Sequence, residues 1–161
     1  MTDDNIPAAI LAQIYAQARA EFPKECCGYL VGRGPDTVRV QCTNYQDRLH
    51  AADPLENPRT GENGYNFGGR QLIDFTRAFG GPNPPTVIYH SHPRVGAYFS
   101  AEDERAALAA GLPVDYLVVD VQDDVIRESV LFRRAPEAAT GSPAYVEVAR
   151  FPGSLGLAGG A

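Results

Sequence analysis

Thr86-Val87-Ile88-Tyr89-His90-Ser91-His92-Pro93-Arg94-Val95-Gly96-Ala97-Tyr98-Phe99-Ser100-Ala101-Glu102-Asp103 is the stretch on which the reading of this chain turns. Thr86 to Tyr89 are β-branched or aromatic and predict a buried strand. Residues i and i+2 of a strand share a face, so His90 and His92 point the same way, at a spacing that lets two imidazoles grip one metal. Pro93 ends the strand. Ser100 is placed to cap a helix, and Asp103 falls in its first turn, which can fold back toward the histidines. Two His and one carboxylate form the ligand set of a catalytic zinc, with the fourth tetrahedral position left to water. Two plainer readings stay open. Ser100-Ala101-Glu102-Asp103 matches a capping box with Asp in place of Glu, which needs no metal. The two His could also be satisfied core residues. The chain has only three His, and two of them stand at this spacing beside a helix-start Asp.

A hydrolytic zinc site also requires a general base. Phe22-Pro23-Lys24-Glu25-Cys26-Cys27-Gly28-Tyr29-Leu30-Val31-Gly32 supplies a candidate, because Glu25 begins an otherwise apolar strand. A carboxylate there is either a solvated strand end or a group with a task.

Taken together, Glu25, His90-Ser91-His92-Pro93 and Ser100-Ala101-Glu102-Asp103 resemble the JAMM motif of the MPN+ metalloproteases. That motif is a Glu, then His-x-His, seven residues, Ser, two residues and Asp. Here Pro93 to Phe99 supply the seven, and every position is filled. The resemblance covers residues 6–148. It is strongest to small bacterial members, which carry segments similar to Glu-Cys-Cys-Gly and Ala-Tyr-Phe-Ser. Some of those remove amino acids or peptides from the C-termini of ubiquitin-like sulfur-carrier proteins. The resemblance implies that His90, His92 and Asp103 bind Zn2+. It implies that Glu25 holds and deprotonates the attacking water, and that Ser100 donates a hydrogen bond to the oxyanion. It also implies a curved mixed β-sheet flanked by helices, as in MPN/JAB domains.

At 161 residues the chain suits a single domain with one real core. A net charge of −6 disfavours nucleic acid as a partner. No apolar run approaches the roughly 18 residues of a membrane helix, and the acidic N-terminus argues against a signal peptide. Three Cys, two of them adjacent, fit neither a disulfide framework nor a Cys-x-x-Cys zinc site, so a reducing cytoplasm is expected. Cys26 and Cys27 should face opposite sides of the sheet.

Along the chain, residues 6–21 predict an amphipathic helix with Ile6, Ile10, Leu11, Ile14 and Ala18 on one stripe. Strands are expected over 25–31 and 37–42, joined by the turn at 32–36. Residues 44–64 read as a long polar loop with His50 solvated within it, and the resemblance implies that this segment borders the substrate groove. A short strand is expected over 65–67 and a helix over 71–79. A helix follows from Ser100 to Gly111, then strands over 114–121 and 125–133, and an edge strand over 145–151. Between Gly111 and Val114 there is no room for the second insertion of ubiquitin-chain-specific relatives. The whole reads as one α/β (α+β) domain over 1–151, with the histidine strand central, followed by a Gly-rich flexible tail over 152–161. The tail's last residues, Leu157-Ala158-Gly159-Gly160-Ala161, resemble the Gly-Gly end of a ubiquitin-like substrate, although a frayed terminus accounts for them.

The leading expectation is a zinc peptidase or isopeptidase acting on the C-terminal tail of a ubiquitin-like or sulfur-carrier protein. The alternatives are a zinc peptidase for other peptides and a non-catalytic MPN scaffold. A zinc nucleoside deaminase is excluded, because its His-x-Glu and Pro-Cys-x-x-Cys elements are absent.

Overall fold

A computed structural model describes residues 4–135 and 144–154. Its centre is β3, Pro85–Pro93, whose residues from Val87 onward are all buried. Continuous burial on both faces is what an apolar, β-branched run produces. β3 pairs antiparallel with β1 (Cys27–Val31) and parallel with β4 (Asp115–Gln122). β2 (Val38–Cys42), β5 (Val125–Arg134) and β6 (Tyr145–Ser154) complete a mixed sheet in the order β2-β1-β3-β4-β5-β6.

Helices cover both faces. α1, Ala8–Glu21, lays Ile10, Leu11, Ile14 and Ala18 on one face, against Cys26, Val87 and Tyr89. Ile14 is wholly buried, which contributes about 1.5–3 kcal/mol relative to exposure. On the other face lie α3 (Gly69–Ala78) and α4 (Ala101–Ala110), over Cys27, Tyr29, Ile88 and Tyr116. Cys26 and Cys27 therefore do face opposite sides, and both sides are interior.

Alternation along β3 decides where the site lies. Ile88 faces α3 and α4, so His90 and His92 open on that side too. The connection from β3 through α4 to the parallel strand β4 then brings the start of α4 back over the end of β3 that carries the histidines.

Several expectations are corrected. Residues 44–64 are not all loop, since α2, Gln46–Ala52, forms within them. Its polar sequence, Gln46-Asp47-Arg48-Leu49-His50-Ala51-Ala52, carries no apolar stripe to announce it. His50 lies in the last turn of this helix, and its Nδ1 is 2.8 Å from the Asn57 carbonyl. Residues 65–67 are not a strand but an irregular segment that anchors by its rings: Phe67 packs at 5.0 Å against Phe75 and 6.0 Å against Tyr29, ring centre to ring centre. β6 runs through Pro152 to Ser154, past the expected start of the tail. The Gly-rich end at 157–161 lies outside the described residues, as do 136–143.

Candidate active site

The site is assembled from three distant segments. Extending the β1–β3 register, in which Cys27 pairs with His90, two residues beyond the end of β1 sets Glu25 opposite His92. Ser91 locks this join: its backbone N–H donates to the Cys26 carbonyl at 3.2 Å, and its Oγ accepts from the Cys26 N–H at 2.8 Å.

The third segment is the turn after β3. Phe99 anchors it, packing at 4.8 Å on Tyr145 and 5.4 Å on Tyr116. Ser100 then caps α4. Its Oγ accepts from the Asp103 N–H at 3.0 Å, and Asp103 Oδ2 accepts from the Ser100 N–H at 3.0 Å. The capping box forms, and it aims Asp103 at both histidines. Asp103 Oδ1 lies 3.1 Å from His90 Nε2, and Oδ2 lies 3.1 Å from His92 Nε2. The two Nε2 atoms are themselves 3.1 Å apart. The capping and metal readings of residues 100–103 thus do not exclude one another, because the cap orients the ligand.

These three residues can hold a metal ion. Ligand atoms about 2.0–2.1 Å from a shared tetrahedral ion stand about 3.3 Å apart, close to the spacing seen. Two imidazole nitrogens in contact inside a buried site also ask for a shared cation or proton. His90 is fully buried and His92 is 5 % exposed. His92 Nδ1 sits 3.0 Å from the Gly96 carbonyl. An N–H at Nδ1 donating to that carbonyl leaves Nε2 as a lone pair for a metal. Gly96 has φ +98°, which only glycine adopts without strain. The neighbouring charges hold Asp103 well below the usual carboxylate range against the opposing effect of its burial, and the Asp103 carboxylate raises His90 against the same opposition.

Glu25 is 6 % exposed. Burial pushes its carboxyl above the ordinary range, partly offset by His90 and His92. Its backbone is clamped from both sides by the segment after β2. The Glu25 N–H donates to the Gly61 carbonyl at 2.7 Å, and Asn44 Nδ2 donates to the Glu25 carbonyl at 2.9 Å. Asn44 was not singled out from the sequence. A lone Asn at the start of a polar stretch is the commonest of loop signals and points to nothing more.

Glu25, His92, Ser100 and Asp103 line one groove of about 910 Å³. Asn57, Arg59 and Gly64 stand on one wall and the first turns of α4 on the other, and Phe75, Leu112 and Tyr116 line an apolar part of it. The structure therefore brings together all five residues predicted as a site: Glu25, His90, His92, Ser100 and Asp103.

Sheet order, flanking helices and this cluster define a single-domain mixed α/β protein of JAB type. The chain belongs to the family described as prokaryotic homologs of the JAB domain, which matches residues 7–133. It is similar to proteins named CysO-cysteine peptidase from Mycobacterium bovis and Mycobacterium tuberculosis. Each is 29% identical over 142 residues, covering 88% of this chain and 89% of the relative. The fold recurs in a solution structure of a Salinibacter ruber protein, with TM-score 0.55 and 21% identity over 92% of this chain and 89% of that one. It recurs again in a Desulfitobacterium hafniense protein, with TM-score 0.53 and 23% identity over 88% and 86%. Family and relatives together support a peptidase-like function. No helix among the described residues is long and apolar enough to cross a membrane.

Proposed function

We propose that this chain is a zinc-dependent peptidase that hydrolyses the amide bond at the C-terminal tail of a ubiquitin-like sulfur-carrier protein. The observation that carries the reading is the convergence of His90, His92 and Asp103 at 3.1 Å contacts beside a buried Glu25 carboxylate.

His90 Nε2, His92 Nε2 and Asp103 would hold the ion. Zinc bound there supplies an acidified water, its pKa lowered from about 16 to about 7. Glu25 acts as general base, taking the proton of the attacking water and passing it to the leaving amine, a role typically worth about 10²–10⁴-fold in rate. Ser100 Oγ accepts from the Asp103 N–H, and its own proton is directed at the oxygen on which charge develops. Loss of such a donor costs about 3 kcal/mol. A tail of small residues would lie extended along the groove that Glu25, Ser100 and Asp103 line, with its last amide beside Glu25. The mycobacterial relatives are named for a peptidase of a CysO-cysteine substrate, and this motivates the carrier class here.

The test is hydrolysis of a purified carrier bearing a C-terminal amino-acid adduct, followed by intact-mass spectrometry. Turnover should be lost on chelation and restored by stoichiometric zinc. Protein that binds no metal and leaves the adduct intact would instead be a scaffold. A protein that cleaves free peptides as efficiently as the adduct would be a general peptidase.

A further inference from the structure

The two histidines of the cluster are held in different ways. His92 has a hydrogen-bond partner for its second ring nitrogen, the Gly96 carbonyl at 3.0 Å. His90 has none: its Nδ1 is buried and meets no acceptor among the described residues. A metal-binding imidazole almost always uses its second nitrogen to fix ring orientation.

The broad face of His90 is occupied instead. The Tyr65 ring stacks on it with centroids 4.4 Å apart and planes 20° from parallel. His92 touches it only edgewise, at 4.9 Å and 62°. A stacked plane opposes rotation of the imidazole about its last side-chain bond, since turning the ring drives its edge into the neighbour. Tyr65 is itself pinned on both sides by one side chain. Asn44 Nδ2 donates to the Gly64 carbonyl at 2.9 Å, and Asn44 Oδ1 accepts from the Asn66 N–H at 3.2 Å.

We infer that Tyr65 is a positioning residue for the metal centre, its ring face setting the orientation of His90, whose Nδ1 meets no protein acceptor among the described residues. This rests on the metal reading proposed above. The ring, not the hydroxyl, carries the role, so Phe should substitute and an aliphatic side chain should not.

The test is metal affinity of purified protein, stripped and then titrated with zinc against a competing chelator. Cobalt(II) absorption reports ligand geometry in parallel. Tyr65→Phe should bind zinc within about twofold of wild type. Tyr65→Leu should bind about 10–100-fold more weakly, the range for loss of a ligand-orienting neighbour, with an altered cobalt spectrum. Tyr65→Met, a second ringless side chain of different shape, should match Tyr65→Leu and guards against a folding defect peculiar to one variant. Circular dichroism of the metal-free proteins separates lost folding from lost orientation. Wild-type affinity in both aliphatic variants, or equal loss in Tyr65→Phe, overturns the role of Tyr65 while leaving the metal reading standing. Wild-type protein that takes up neither zinc nor cobalt overturns the metal reading and this inference together.

Discussion

The side-chain amide of Asn44 donates to the backbone carbonyl of Glu25 at 2.9 Å, tying the candidate general base to the segment that walls the groove. The same side chain accepts from the Gln46 N–H at 2.9 Å and the Asn66 N–H at 3.2 Å, and donates to the Gly64 carbonyl at 2.9 Å. Removing it leaves part-buried backbone groups unpaired, at about 1–3 kcal/mol each where water cannot reach. Asn44→Ala should therefore lower kcat about 10-fold or more, because misplacing a reacting group by a fraction of an ångström is costly. Asn44→Asp keeps the two accepting bonds and loses the two donated ones, so it should resemble Ala in kcat. A kcat within twofold of wild type in both variants refutes the coupling.

Glu25 falls outside the group formed by His90, His92 and Asp103, so its removal should separate chemistry from metal binding. Glu25→Gln keeps the shape and cannot take a proton. Its turnover should fall about 10²–10⁴-fold with zinc content unchanged. Zinc measured on the same preparation distinguishes the outcomes. Lost zinc would make Glu25 a fourth ligand, and wild-type turnover would make it a bystander.

The groove wall divides into a part that holds the site and a part that does not. Gly61 and Gly64 contact Glu25 and Asn44 through their carbonyls, whereas residues 53–56, which reach the groove through Glu56, make no such contact. Deleting 53–56 with a short glycine bridge should raise KM on the order of 10-fold, about 1.4 kcal/mol, and leave kcat intact. Stability should change little, since closure entropy varies slowly with loop length. Deleting 59–64 should abolish kcat as well. Equal kinetic effects from the two deletions would show that the wall does not divide this way.

All three cysteines are buried thiols. Burial pushes Cys26 up to about 12 and Cys42 up to about 11, and Cys27 is raised as well. Thiolate is then scarce near pH 8, and an aromatic disulfide reagent should titrate none of the three until guanidinium unfolds the chain. The same shifts fix the sign of a stability effect. Unfolded thiols ionise near about 8.5, below their folded values, so the contribution is complete below that pH and lost as pH rises toward 11 or 12. Tm should fall steadily between those limits. A rapidly titrating thiol in native protein would place one of them at the surface.

Much of the site was legible in the sequence because its determinants are local. His90 and His92 share a face through the two-residue period of a strand, and Ser100 and Asp103 meet through the geometry of a helix start. Both relations hold over four residues or fewer and need no tertiary contact. Glu25 was legible only as an odd carboxylate before an apolar run, and through the spacing of a family motif. Its place opposite His92 depends on the β1–β3 register, which a sequence does not display. α2 was missed because a helix held by its ends and by neighbours such as Gly61, whose N–H donates to Asp47 Oδ1 at 2.7 Å, needs no apolar stripe. Asn44 and Tyr65 were missed for a related reason. An amide that saturates four backbone groups and a ring that lies flat on an imidazole do so through surroundings built from three distant segments. Local pattern thus chose the metal-binding groups, whereas tertiary packing alone decided what holds them still, because orientation in a buried site comes from whichever neighbours the fold brings into contact.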